Sequence, residues 1–238
     1  MEEIGRMTFH RGTLLWLGPD RTKGFCLGRS YSKGDERIIE SEHTRQVHIF
    51  KEQDDDASIY AASIVEALTK AKIIDKYSFV VAVPPKSRGG HDRFGDLLRF
   101  IERESDGKIK NERASLTCIR DYGTTRGLSA ADRVAAVKGA FKSTKDWKGK
   151  RVILVDDIHT SGATTDECAK MLMKGGAKEV LLVCLAKEQF ALDPKTCDLC
   201  GAPMYVRTGR ESGNRFWGCN NFFSKDEATK CNYMEWID

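Results

Sequence analysis

The chain has no apolar run approaching the ~20 residues that a membrane-spanning helix requires. Its opening stretch, MEEIGRMTFHRG, carries acidic side chains and no hydrophobic core, unlike a secretory leader, so a cytoplasmic location is the expectation. A strong charge of either sign is also missing. The 39 Lys and Arg nearly balance the 35 Asp and Glu, and the net charge of +4 permits a nucleic-acid or phosphorylated partner without demanding one. Internal repeats and low-complexity tracts are absent as well. What remains is a chain of 238 residues, 40% hydrophobic and 31% charged, ordinary for a globular protein. That length suits one full α/β domain with a small appendage, or two modest domains.

The eight cysteines fall into two groups. Cys26, Cys118, Cys168 and Cys184 are scattered among apolar neighbours and read as small core side chains. Cys197, Cys200, Cys219 and Cys231 crowd the end of the chain. In a reducing compartment that crowding favours a metal over disulfides.

Short β-like runs at 13–18, 24–32 and 45–52 (RQVHIFKE) open the chain, separated by Gly, Pro, Asp and Ser. Asp54, Asp55 and Asp56 then precede a helical pattern in ASIYAASIVEALTKAK, where acids suit a helix N-terminus. Beyond it, strand-like and helical segments alternate. Strands are expected at 78–84, 114–120, 151–157 and 179–187, and helices at 94–104, 129–141 (in part) and 164–176. Runs such as VILV and VLLV are apolar on both faces, which suits a mainly parallel sheet covered by helices on each side. The expected fold class is therefore α/β. Composition shifts at about 190–195, where FALDPK leads to the cysteine-rich tail.

The stretch VILVDDIHTSGATT, residues 152–165, carries the sharpest chemistry. In an open parallel sheet, ligands bind at the carboxyl ends of strands, and Asp156 and Asp157 stand at such an end. Two adjacent like charges repel there unless a ligand or cation uses them. The loop that follows, Thr160-Ser161-Gly162-Ala163-Thr164, is small and rich in hydroxyls and leads into a helix, a setting for an anion. Carboxylates for ribose hydroxyls beside a loop for a phosphate suit a sugar phosphate. Either piece alone is equally an ordinary strand–turn–helix.

This stretch resembles the phosphoribosyl-diphosphate (PRPP) signature of type I phosphoribosyltransferases. Two more segments, VVAVPPKSRGGHDRFGDLLRFI (80–101) and RDYGTTRGLSAADRVAAVKGAF (120–141), resemble those of competence protein F-type members, so that the likeness spans roughly 24–188. The resemblance implies a type I phosphoribosyltransferase fold in which Asp156 and Asp157 bind the ribose hydroxyls and Thr160, Ser161, Gly162, Ala163 and Thr164 bind the 5′-phosphate. Pro85, Lys86, Ser87 and Arg88 form a cationic loop suited to the diphosphate, and Arg120, Arg126 and Arg133 lie on a flap over the site. Lys86, Arg88, Arg126 and Arg133 would stabilise the departing diphosphate, with Mg²⁺ on the PRPP oxygens. His159 falls at a variable position of the pattern and receives no catalytic role. The chain departs from the family at Gly95 and Ala136, each in place of an Asn, and at Arg126, where Gln is frequent.

In the tail, Cys197-x2-Cys200 places two thiolates on a tight knuckle with Gly201 after it, and Cys219 and Cys231 complete four soft ligands suited to tetrahedral Zn²⁺. Free thiols or two disulfides are the alternatives. The segment is too short to bury a core of its own, so a metal would supply much of its folding free energy. The pieces CDLCG, RTGR, RFWGCNN and KCNYMEW resemble the C-terminal zinc ribbons of type IA topoisomerases. Arg207, Arg210 and Arg215 stand among Phe216, Trp217 and further aromatics, a mixture suited to single-stranded DNA or RNA; a structural or protein-docking ribbon is the alternative.

These readings give a phosphoribosyltransferase-like domain over residues 1–192, with an N-terminal hood over about 1–52, and a four-cysteine zinc ribbon over 193–238. Two functions stand side by side. One is a Mg²⁺-dependent enzyme that transfers phosphoribose to an unidentified nitrogen acceptor; the other is a PRPP-sensing or nucleic-acid-binding module without turnover. A homodimer stays open.

Overall fold

The computed structural model describes residues 15–17, 22–53, 57–86, 92–125, 127–189, 195–209 and 212–237. Most of the expected hood segment before residue 22, the acidic triplet 54–56 and the linker 190–194 lie outside them. The chain divides into two compact units, one from Met1–Gly28 with Gln46–Lys187 and one from Arg29–Arg45 with Glu188–Asp238. Residues 29–45, which the sequence placed in the hood, thus cluster with the cysteine-rich tail.

The first unit is built on a six-stranded sheet of order β1-β2-β8-β7-β3-β4. In chain order its strands are β1 (Leu15–Leu17), β2 (Thr22–Tyr31), β3 (Phe79–Ala82), β4 (Lys110–Asn111), β7 (Arg151–His159) and β8 (Glu179–Gln189). β4, β3, β7 and β8 run parallel, while β1 pairs antiparallel with β2. The apolar runs explain this arrangement. Ile153 and Val155 of β7 and Leu181, Val183 and Leu185 of β8 face one core. That core is shared with α1 (Glu42–Gln53), α2 (Ala57–Lys70) and α3 (Gly95–Glu104). The alternate residues Val152, Leu154, Val180, Leu182 and Cys184 face a second core with Trp147 and α5 (Ala163–Lys174). A strand buried on both faces needs helices on both, as found.

α1 corrects the strand expected at 45–52. Thr44, Val47 and Phe50 are buried at three-residue steps, a helical period, and Phe50 packs against Tyr60 and Phe94 with ring centroids 5.5 and 5.9 Å away. Cys118 is the other departure. It is half-buried rather than a core thiol, with its Sγ 3.5 Å from the carbonyl of Lys86.

Two short antiparallel strands, β5 (Leu116–Cys118) and β6 (Phe141–Ser143), bracket the segment that contains α4 (Ala130–Val137). Ser129 caps α4, its Oγ accepting from the N–H of Asp132 at 3.2 Å. At the other end Arg120 donates to the carbonyls of Ala136 and Lys138, and the N–H of Gly139 donates to Glu167. Arg120 therefore secures this excursion from the sheet.

The second unit holds an antiparallel three-stranded sheet of β9 (Met204–Thr208), β10 (Arg215–Cys219) and β11 (Met234–Trp236) with β10 central. The N–H of Val206 donates to Lys33, and Arg215 donates to the carbonyl of Ile39. Ile38 and Ile39 pack on its small core of Cys197, Met204, Val206, Trp217 and Cys219, so the 29–45 segment adds apolar cover that the tail alone lacks.

Candidate active site and metal centre

β7 carries Asp156 and Asp157 to the carboxyl end of the parallel sheet, and the chain turns there into α5. Gly162 makes that turn at φ +83°, where a Cβ would stand 3.0 Å from Cε1 of His159. Thr165 Oγ1 bonds the carbonyl of Gly162 at 2.8 Å, as does the N–H of Asp166 at the same distance. The loop 160–164 is thereby held at the N-terminus of a 12-residue helix, with its backbone and hydroxyls on a cavity of about 500 Å³.

That cavity brings together most of the residues singled out from the sequence. Pro85, Lys86, Arg133, Asp156, Asp157, Thr160, Ser161, Gly162, Ala163 and Thr164 all line it. Ser87, Arg88 and Arg126 lie outside the described residues. Arg133 is also tied to its own segment, its Nε donating to the carbonyl of Leu128 at 3.0 Å.

Several participants carry no motif of their own. Arg93 Nη1 lies 2.5 Å and Lys51 Nζ 3.6 Å from Oδ2 of Asp157. Tyr122 also lines the cavity and shares a side-chain hydrogen bond with Thr164; burial raises its phenol. Arg93 and Tyr122 lie inside the stretches 80–101 and 120–141 that carry the resemblance but have no assigned role there, and Lys51 lies in the stretch expected as a strand. An unassigned basic residue just before the helix at 94–104 was the nearest available signal.

Electrostatics divide the carboxylates. Lys51 and Arg93 pair with Asp157, and among the described residues no cation pairs directly with Asp156. Burial, and then the charge of Asp157, push the Asp156 carboxyl up to about 8. His159 is buried, and its Nδ1 has no hydrogen-bond partner among the described residues; burial, with Lys187 adding to it, pushes the imidazole down to about 4. A neutral imidazole beneath Gly162 supports the loop by packing.

The four tail cysteines converge. Their Sγ atoms all lie within 4.8 Å of one another, with Cys197–Cys231 at 3.7 Å and Cys200–Cys219 at 3.5 Å. A disulfide needs about 2.05 Å. Tetrahedral Zn²⁺ with bonds of about 2.3 Å sets its sulfurs about 3.8 Å apart, so the donor set and spacing fit zinc. Cys197 and Cys219 are buried, and Asn221 Nδ2 reaches Sγ of Cys200 at 3.7 Å. Of the candidate nucleic-acid residues, Phe216 and Arg207 are half-buried and Arg215 is engaged with Ile39. Trp217 is 3% exposed in the ribbon core, where its ring is closed to a base, and Arg210 lies outside the described residues.

A parallel sheet covered on both faces, with a carboxylate pair and a phosphate-type loop at one strand end, is the arrangement of a phosphoribosyl transferase domain. Residues 58–198, more than half of the chain, match the phosphoribosyl transferase domain family, and the chain belongs to it. It is 43% identical over 103 residues to competence protein F of Haemophilus influenzae, covering 42% of this chain and 44% of that protein. It is 34% identical over 73 residues to the DNA utilization protein YhgH of Escherichia coli K12, covering 31% of this chain and 32% of that one. The adenine phosphoribosyltransferase of Petrotoga mobilis is 30% identical over 131 residues, or 52% of this chain and 67% of its own length. The competence protein F and YhgH matches thus span less than half of those relatives. No helix among the described residues is long and apolar enough to cross a membrane.

Proposed function

We propose that the cavity binds PRPP with Mg²⁺ and that the protein transfers the phosphoribosyl group to a nitrogen acceptor, releasing diphosphate. The observation that carries this reading is the meeting of Asp156 and Asp157 with the Thr160–Thr164 loop on one cavity. The loop N–H groups and hydroxyls take the 5′-phosphate, and the carboxylates take the ribose diol. The C1–O bond breaks and its electron pair leaves with the diphosphate. The nitrogen lone pair then forms the C1–N bond with inversion, and the proton of the acceptor passes to solvent. Lys86 and Arg133 line the cavity and, with Arg88 and Arg126 assigned by resemblance, meet the charge that develops on the leaving group. Mg²⁺ neutralises diphosphate charge when bound. The hard oxygen donors of Asp156 and Asp157 suit it, and a cation there would offset the burial and the neighbouring charge that together raise Asp156.

The four-cysteine unit holds Zn²⁺ and binds single-stranded nucleic acid in this reading, and the names of the relatives point to DNA uptake or use as the setting. Titration calorimetry of PRPP, followed by a screen for diphosphate release with nucleobases and oligonucleotides, tests the enzyme directly.

One observation favours the second reading, a PRPP sensor without turnover. A Cβ at Gly95, where the family carries Asn, would stand 2.8 Å from Nη1 of Arg113, so this guanidinium fills the room of that side chain. A sensor binds PRPP and leaves it intact whatever acceptor is supplied.

A further inference from the structure

We propose that the outer face of the β9–β10–β11 sheet is a stacking platform for an unpaired nucleic-acid strand, built from the exposed rings of Trp236 and Phe223 with the half-buried Phe216 and Arg207 beneath them. The inference rests on the nucleic-acid reading of the ribbon and assigns it a surface.

Strand alternation separates the two faces. Met204, Val206, Trp217 and Cys219 are 1%, 8%, 3% and 0% exposed and form the inner one. Their neighbours in sequence point the other way. On that outer face the register sets Phe216 between Arg207 and Trp236, and Gly218 between Tyr205 and Met234. Trp236 is 57% exposed, and Phe223, on the turn after β10, is 66% exposed. Large aromatic surface left open beside a sheet is costly unless something covers it.

Gly218 shows how this face is arranged. A Cβ there would stand 2.7 Å from Cδ and 2.8 Å from Nε of Arg207, so the arginine lies flat across the glycine. Its Cζ sits 4.6 Å from the centroid of the Phe223 ring, and Phe216 and Trp236 meet edge to face at 5.4 Å. Among the described residues no carboxylate pairs with Arg207, and its buried Nε has no hydrogen-bond partner. A guanidinium laid on one ring keeps its charge for another group. The exposed aromatic surface of Trp236 and Phe223 beside a cation without a carboxylate partner matches a strand with unstacked bases and an anionic backbone. An apolar protein segment would use the rings and gain nothing from the charge.

The test uses full-length, zinc-loaded protein and labelled oligothymidylate and oligoadenylate, read by fluorescence anisotropy. Wild type is expected to bind both with similar affinity and to show quenched tryptophan emission. Trp236→Ala and Phe223→Ala are each expected to weaken binding by about tenfold. Arg207→Gln is expected to reduce the dependence of affinity on salt by about one counterion. Zinc content and circular dichroism report whether each variant is folded. Phe223 lies outside the sheet, so its variant answers the question even where Trp236→Ala misfolds. Wild-type binding that folded Trp236→Ala and Phe223→Ala variants retain unchanged would overturn this surface and leave the nucleic-acid reading standing. No binding by wild type would remove the reading beneath it. Self-association that Trp236→Ala abolishes, without any oligonucleotide effect, would assign the face to a second copy of the chain and overturn the proposal as well.

Discussion

Arg93 and Asp157 stand 64 residues apart in the chain, and their side chains meet with Nη1 2.5 Å from Oδ2. The guanidinium is 29% and the carboxylate 14% exposed, so water screens the pair only in part. Lys51 reaches the same oxygen at 3.6 Å, while the Asp156 carboxyl beside it is raised by burial and then by the charge of Asp157. The two carboxylates thus play unequal parts.

Replacing Arg93 by Met keeps much of the side-chain bulk and removes the cation. The variant is expected to lose about 1–3 kcal/mol of stability, because a partly buried carboxylate is left short of a partner. Urea denaturation measures this. An unchanged midpoint would show that the pair is incidental.

Stability should depend on pH in two opposing limbs. Folded Asp156 titrates at about 8 against 3.8 for an ordinary Asp, so the folded state holds the extra proton. Its contribution is complete at low pH and is lost as pH rises through 8. His159 works in reverse. It titrates at about 4 folded against 6.5 unfolded, so its contribution is complete above 6.5 and is lost as pH falls towards 4. Between 6.5 and 8 Asp156 alone of this pair titrates, and its contribution should weaken the PRPP-free protein with rising pH by at most about 1.4 kcal/mol per unit. Between about 4 and 6.5 the two slopes oppose and largely cancel, so Asp156→Asn should flatten the decline above 6.5, and His159→Gln should extend that decline down towards pH 4. Denaturation series from pH 4 to 8, on zinc-loaded protein without PRPP or Mg²⁺, read both.

Gly162→Ala should impair the phosphate loop. The backbone at φ +83° disfavours a side chain, and the added methyl presses on His159. A stability loss of at least ~1 kcal/mol is expected, with weaker PRPP binding. Ser161→Ala on the same loop, where φ demands no glycine, is the control for binding without the backbone cost.

Removing zinc should unfold the second unit and spare the first. Among the described residues its core has five buried members, two of them cysteines of the cluster. Chelation should release one equivalent of zinc, and Cys219→Ser should prevent its uptake. Metal analysis with near-ultraviolet circular dichroism follows both. A ribbon that stays folded after metal loss would show that the 29–45 segment suffices.

The contiguous parts of this architecture were legible in the sequence, and the assembled parts were not. VILV and VLLV announce strands covered on both faces, and the two aspartates with their small loop form one local pattern. RQVHIFKE misleads because Val47 and Ile49 alternate like a strand, while the core that Val47 and Phe50 share comes from α2 and α3. Arg93, Lys51 and Tyr122 reach the cavity only through tertiary packing. Trp217 shows the same limit in the ribbon. Composition placed it among cations, and only the strand register shows that Phe216 and Trp236 face outward while Trp217 faces in.

The measurement that tests the central claim most directly is calorimetric titration of PRPP with Mg²⁺ into wild type and into the Asp156→Asn/Asp157→Asn variant. The account predicts saturable one-site binding by wild type that ribose 5-phosphate competes for and that the folded variant has lost. No binding by folded, zinc-loaded wild type, or equal binding by the variant, would contradict it.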